Sequence, residues 1–443
     1  MLERILSDAT LHEIIIDVGM PVQHRGVNYN CRIICFNSKI LLIRPKQWLA
    51  NDSNYFEMRY FTPWVRPTEY EQYHLPRIIQ KFQGSTHVMF GEAVISSPDT
   101  CIGVETCEEL FTPDPPHTHL ALDGVEIFTN SSGSHFELRK LHLRLSLIQE
   151  GIRSVGGCYL YANQIGCDSD RLYYDGCAMI IVNGQVVAQG AQFSLNEVDV
   201  VAATIDLEEI RAYRSAASRG LQAAMSKAKY ERIQTSFALS SDSEDRILGR
   251  RPNKTLQPKC YSPEEEIALS TGCYLWDYLV RSRQIGYLLP LSGGIDSAST
   301  AVMVFSMARI VIDACKAGNK QVIADVKRLS KPIEELPKTP QELCNRLFHT
   351  IFMGMSKQSS RETRARAKLL SEAIGSYHID LDIDEVYNAQ RNLIVQALNL
   401  EPKFKVEGGS TAENQTLQNI QAYVPHKLVL SCCSNNGEGD REW

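Results

Sequence analysis

Tyr287-Leu288-Leu289-Pro290-Leu291-Ser292-Gly293-Gly294-Ile295-Asp296-Ser297 is the stretch from which the fold can be worked out. Its first five residues are an apolar run of strand length. Ala298 to Ala317 follows as a long apolar stretch, which predicts a mostly buried helix. A strand, a glycine-rich turn and a helix start, in that order, aim backbone N–H groups and the positive end of the helix at an anion. Two adjacent glycines let the backbone come close to a phosphate. Ser292 and Ser297 add hydroxyl donors, and Asp296 is a candidate ligand for a magnesium ion that bridges phosphates. No Lys-Ser/Thr pair follows the glycines, so this is not the common P-loop. The bland alternative is a Ser-Gly turn that only joins strand to helix.

Downstream, the alternation continues. Leu347 to Met353 predicts a strand, Ser359 and Glu362 a capping box, Gly375 a helix stop, and Tyr377 to Leu381 another strand. Repeated strand–helix alternation implies a parallel sheet covered on both faces. Upstream, Ser262-Pro263-Glu264-Glu265-Glu266 reads as a helix start, with a cap, a proline and acids in the first turn. Before it, the acidic run Ser240 to Asp245 and Gly249 to Asn253 mark a linker.

Residues before about 205 alternate strands and helices. Glu13 to Val18, Val94-Ile95, Cys101-Ile102, Gly124 to Thr129, Cys158 to Ala162 and Val198 to Ile205 predict strands. Cys31 to Phe36 and Lys39 to Ile43 form a hairpin across Asn37-Ser38; Cys177 to Val182 and Gln185 to Ala188 form another across Asn183-Gly184. Phe136 to Val155 and Leu207 to Arg219 predict helices.

Bulk properties narrow the class. A chain of 443 residues, 44% hydrophobic and 22% charged, has room for two or three ordinary globular domains. A net charge of −6 gives no basic footprint for nucleic acid. No apolar run is expected to span a bilayer, and the start lacks the pattern of a secretory signal. Thirteen cysteines without CxxC pairs or zinc spacing fit a reduced, cytoplasmic setting.

Cys107 lies where a strand, Cys101 to Thr106, runs into a helix start. A cysteine at such an elbow is either a lowered-pKa nucleophile, with the next backbone N–H serving an oxyanion hole, or a small buried hydrophobe. Lys46 ends the apolar strand from Ile40; it either holds an oxyanion and tunes a thiolate, or snorkels at the surface. Glu57, alone, reads as a surface acid.

Taken together, these residues resemble known families. Ser292 to Ser297 is similar to the SGGxDS turn of the ATP pyrophosphatases. That resemblance implies ATP binding at Ser292, Gly293, Gly294, Asp296 and Ser297, with Mg2+ on Asp296. Cys107, Lys46 and Glu57, with Thr129 to Ser134 and Asp175 to Ala178, resemble the nitrilase superfamily. It implies Cys107 as nucleophile, Lys46 as triad lysine and Glu57 as a supporting glutamate. The fusion, with Ser359 to Ala367, Gly408 to Asn414 and Gln418 to Ala422, is similar to eukaryotic-type glutamine-dependent NAD(+) synthetases.

The fold so implied is α/β: a nitrilase-like α-β-β-α sandwich, then an incomplete Rossmann-like parallel-sheet ATP-pyrophosphatase domain. The implied divisions are a glutaminase domain at 1–210, a helical and polar linker at 211–260, the first part of a ligase domain at 261–422 and a divergent tail at 423–443. The implied partners are glutamine, ATP and deamido-NAD, with homo-oligomers in the full-length family and neither nucleic acid nor membrane. Against that family, the chain reads as shortened at both ends. No residue matches the triad glutamate, and Pro425 interrupts an expected helix. An alternative expectation is therefore a non-catalytic isoform that binds ATP or full-length subunits.

Overall fold

The computed structural model describes residues 1–421 except 53, 170, 241–250, 331–334 and 357–358. The tail after Gln421, with Pro425, and most of the acidic linker run lie outside the described residues. The chain divides into two compact units. One comprises residues 1–165 and 172–263, the other 166–171 and 264–443.

The first unit is built on two sheets. One contains β1 (Ile15–His24), β2 (Val27–Phe36), β3 (Lys39–Pro45), β4 (Tyr70–His74) and β5 (His87–Gly91), in the order β1-β2-β3-β5-β4. The other contains β6 (Ala93–Ser96), β7 (Cys101–Thr106), β8 (Ile127–Ser132) and β9 (Cys158–Asn163). After the short strands β10 (Ile165–Cys167) and β11 (Tyr173–Asp175), it adds β12 (Met179–Val182), β13 (Gln185–Gln189) and β14 (Glu231–Gln234). Its order is β13-β12-β9-β8-β7-β6-β14.

Alternation along the strands sends successive side chains to opposite faces. Ile34 and Leu42 of the first sheet meet Ala93, Ile95, Ile102 and Val104 of the second. Cys31, Ile33 and Phe90 face the other way, onto Leu6 of α1 (Leu2–Ser7) and Ile79 of α2 (Arg77–Gln83). On the outer face of the second sheet, Phe128, Tyr159, Met179 and Ile181 pack with Leu120 of α3 (Pro116–Leu122) and Leu141, Ile148 and Ile152 of α4 (Lys140–Val155). The layers are helix, sheet, sheet, helix, as the resemblance implied.

Both predicted hairpins form. Phe36 pairs with Lys39 across Asn37 and Ser38, and Val182 with Gln185 across Asn183 and Gly184; all four turn residues have positive φ. The strand predicted at Val198 to Ile205 does not form. Val198 and Val200 are exposed, while Ala203 and Ile205 pack beside Ile210, and the segment joins no ladder. The helix predicted from Phe136 begins only at Lys140, and the strand predicted from Gly124 begins at Ile127. The helix at Leu207 breaks after Arg214; α5 (Leu207–Arg214) is followed by α6 (Ala217–Met225). Strand β14 then pairs in parallel with β6 at the sheet edge.

The second unit holds a three-stranded parallel sheet of β15 (Tyr287–Pro290), β16 (Phe348–Gly354) and β17 (Tyr377–Asp382), in that order. Its helices include α7 (Pro263–Ser282), α8 (Ile295–Lys316), α9 (Lys320–Leu329), α10 (Pro340–Leu347), α11 (Arg361–Ile374) and α12 (Asp384–Leu398). Ser360, rather than Ser359, caps α11 by accepting from Thr363 N; the hydroxyl of Ser359 instead accepts from Met355 N at 2.9 Å. The expectation that no apolar run could span a bilayer needs correction. Helix α8 has 22 residues, and an 18-residue stretch of it reaches a mean hydropathy of 1.5, sufficient by length and composition alone. Its apolarity serves the core: Ala301, Val304, Met307, Ala308, Val311 and Ile312 are buried, and α8 packs on α9 and α10.

Candidate active site

In the first unit, β7 ends at Thr106 and the chain turns sharply into a short 3-10 helix, Cys107–Phe111. Cys107 is a free, half-buried thiol with φ 48°, a left-handed backbone that a non-glycine residue adopts only when its surroundings hold it there. The restraint is visible. The Cys107 N–H donates to Asn130 Oδ1 at 2.9 Å. Asn130 sits on β8 and its Nδ2 donates to Tyr159 Oη at 2.8 Å and to Glu105 Oε1 at 3.2 Å. Those acceptors fix which way the amide points.

Lys46 follows β3 and is 2% exposed, so it does not snorkel. Its Nζ lies 2.5 Å from Glu57 Oε2. The same oxygen accepts from Ala50 N at 2.6 Å, and Glu57 Oε1 accepts from Asn30 Nδ2 at 2.8 Å. Glu57 is therefore no lone surface acid; the partners of its side chain are all donors, and they hold the Lys46 side chain in one direction.

Glu108, beside Cys107, is half-buried. Burial raises its carboxyl; the charge of Lys46 opposes that, while Asp52 and Glu57 reinforce it. The elbow and the lysine thus share one electrostatic neighbourhood. The Tyr161 phenol is pushed up to about 12, first by burial, with Arg144 opposing and the neighbouring Cys107 adding to the rise.

Glu108, Glu109 and Asn130 were not singled out from sequence. Glu109 was findable, because Thr106-Cys107-Glu108-Glu109 fits the Ser/Thr-x-x-Glu pattern of a helix start, and its carboxylate does accept from Thr106 N at 2.7 Å. Asn130 lay within the Thr129 to Ser134 segment that carried the resemblance, but nothing in the sequence joined it to the Cys107 amide.

In the second unit, β15 is followed by the buried Leu291 and then the exposed turn. Gly293 has φ +77°, and a Cβ there would lie 2.2 Å from Thr363 O. Ser292 Oγ and Ser297 Oγ are 3.0 Å apart; Gly294 N donates to Ser292 Oγ at 3.3 Å, and Ser297 Oγ donates to Gly294 O at 3.1 Å. Gly294 caps α8 with no side-chain hydrogen bond, leaving the first-turn amides of the helix without a side-chain acceptor. Asp296 is exposed in that first turn. Beyond it, Arg364 lies over the Phe352 ring and pairs with Asp380 at 3.1 Å and with Asp382. Among the described residues, no group of three or more His, Cys, Asp or Glu is placed to hold a metal. A magnesium ion does not need one, since it is commonly held by one or two carboxylates plus substrate phosphates.

Residues 1–215 match the carbon–nitrogen hydrolase family. The chain is 54% identical over 435 residues to the glutamine-dependent NAD(+) synthetase of Saccharomyces cerevisiae, an alignment covering 97% of this chain and 60% of that protein. It is 49% identical over 431 residues to the Homo sapiens protein of the same name, again covering 97% and 60%. The fold matches a glutamine-dependent NAD(+) synthetase from Cytophaga hutchinsonii with a TM-score of 0.73 at 23% identity, over 98% of this chain and 61% of that one. It also matches the Acinetobacter baumannii glutamine-dependent NAD+ synthetase in complex with adenosine diphosphate, with a TM-score of 0.65 at 16% identity, over 99% and 61%. The chain spans about 60% of the length of these relatives.

Proposed function

We propose, for a chain that belongs to the glutamine-dependent NAD(+) synthetase family, that the first unit hydrolyses the side-chain amide of glutamine and the second spends ATP to amidate deamido-NAD. The observation that supports the reading is the buried Lys46–Glu57 pair, together with a cysteine in a restrained left-handed turn whose strand end is tied through Glu109 to the end of β3.

At the first station, Cys107 Sγ attacks the amide carbonyl. Lys46 Nζ offers a fixed positive charge to the developing oxyanion, and Glu57 holds that charge in place. The thiol proton is the one the departing nitrogen requires, so a glutamyl thioester forms as ammonia leaves. Water then adds to the thioester, returning the thiol and releasing glutamate. No residue is assigned as the general base.

At the second station, the amides and hydroxyls of Ser292, Gly293, Gly294 and Ser297 face the phosphates of ATP at the positive end of α8. Asp296 is the residue that would hold Mg2+, whose charge would stabilise the departing pyrophosphate. The carboxylate of deamido-NAD attacks the α-phosphorus, pyrophosphate leaves, and ammonia displaces AMP from the acyl adenylate to give NAD.

The test uses the 443-residue chain with ATP, magnesium and deamido-NAD, supplied with glutamine in one reaction and ammonium in another. The expected result is NAD from both, with ammonia released from glutamine alone. Cys107→Ala abolishes the glutamine-fed reaction and spares the ammonium-fed one. Asp296→Ala abolishes both syntheses and leaves glutamine hydrolysis intact. Full glutamine hydrolysis by the Cys107 variant would remove that residue from the chemistry. NAD from neither nitrogen source would favour a chain that binds without catalysing.

A further inference from the structure

We propose that Glu109 sets the register of Lys46 against Cys107, as a positioning residue for the glutaminase chemistry; the inference rests on that reading of the first unit. Glu109 is wholly buried. Its hydrogen bonds go to residues that bracket both candidate catalytic groups. On the lysine side, Oε1 accepts from Arg44 Nη1 at 2.7 Å and from Gln47 N at 2.6 Å. On the cysteine side, Oε2 accepts from Thr106 N at 2.7 Å. Arg44 Nη1 also donates to Oε2, at 2.5 Å. Residues 44 and 47 flank Lys46, while 106 and 109 flank Cys107. One carboxylate thereby ties the end of β3 to the end of β7, two strands that belong to different sheets.

The partners of Glu109 are donors without exception: a guanidinium and two backbone amides. A carboxylate can satisfy that set through both oxygens, whereas a carboxamide turns an N–H2 group toward at least one donor. Glu109→Gln is thus nearly isosteric but mismatched whichever way the amide flips. The thiol, Lys46 and Glu57 all remain in such a variant. What changes is the relative placement of two strand ends, and displacements of about 1 Å in a reacting constellation cost on the order of 100-fold in rate.

The experiment compares wild type, Glu109→Gln, Lys46→Ala and the double variant for ammonia release from glutamine, and for alkylation of Cys107 by iodoacetamide, which reads access to the thiol apart from turnover. Glu109→Gln should lower kcat about 100-fold with KM changed by less than about threefold, and its alkylation rate should match wild type. The double variant should be no slower than Lys46→Ala, because both remove the same contribution. Glu109→Asp keeps the buried charge, shortens its reach, and should show the same split if the glutamine variant does not fold. Wild-type kcat in the folded Glu109 variants, or losses that multiply in the double variant, would overturn the proposal while leaving the glutaminase reading standing. A wild-type chain that releases no ammonia would overturn both.

Discussion

Glu57 shows how much a single side chain's meaning depends on its contacts. In sequence it sits between Phe56 and Met58 and looks like a surface acid; in the fold it closes on a buried ammonium. Its carboxylate is surrounded by Lys46 Nζ, Ala50 N and Asn30 Nδ2, all donors. Glu57→Gln keeps the shape but removes the charge that faces Lys46 Nζ. Glutamine hydrolysis should fall about 100-fold, as the lysine loses the group that fixes its direction. An unchanged kcat would separate Glu57 from the chemistry. The pairing of Glu109 with Arg44, unlike the cap that Glu109 makes, was beyond sequence reasoning for a related reason, since 65 residues separate the two partners of this buried ion pair. Cys107 and Lys46 could be picked out only because each sits where an apolar strand stops.

At the scale of elements, local chemistry was legible wherever a turn residue dictated the backbone. Asn37-Ser38, Asn183-Gly184 and the glycines before α8 each announced the strands or helix beside them. Val198 to Ile205 misled because β-branched residues mark an extended chain without supplying a partner strand. Strand β14 was missed because Glu231-Arg232-Ile233-Gln234 is mostly polar and is a strand only through its ladder with β6. The phosphate turn offers a sharp element-level test. Gly293→Ala would put a Cβ 2.2 Å from Thr363 O at φ +77°, whereas at Gly294 the nearest atom is the Ser292 hydroxyl, 3.4 Å away. The first substitution should abolish ATP binding and lower the melting temperature of the second unit. The second should leave that unit folded, as read by calorimetry with and without nucleotide. Equal effects would mean that the close approach of the turn to α11 is unimportant.

For the molecule as a whole, the buried cluster around Arg44 gives the first unit a pH-dependent stability. Arg44 lies between Glu109 and Glu92, with Nε 2.6 Å from Glu92 Oε1. Burial pushes the Glu92 carboxyl up to about 7; Arg44 opposes the rise, and the neighbouring Glu109 adds to it. A carboxyl that keeps its proton to higher pH in the folded state than in the unfolded one stabilises most at low pH. That contribution is complete below its ordinary value of 4.5 and lost as pH rises through about 7. Melting of the first unit should therefore decline between pH 5 and pH 8, and Glu92→Gln should flatten that slope. A slope unaltered in the variant would place the pH sensitivity elsewhere.

The ladder between β6 and β14 bears on how this protein can be divided. The hydrolase match ends at residue 215, yet the sheet it describes is finished by residues 231–234, and Asp99 is bound by the Leu239 and Ser240 amides beyond them. Expressed alone to residue 215, the hydrolase piece would carry a raw flank of unsatisfied N–H and C=O groups along β6, an invitation to stick to its own copies. A self-sufficient glutaminase would have to be excised beyond Ser240. Seen from an expression vector, the segment that leads out of the first unit is its closing seam.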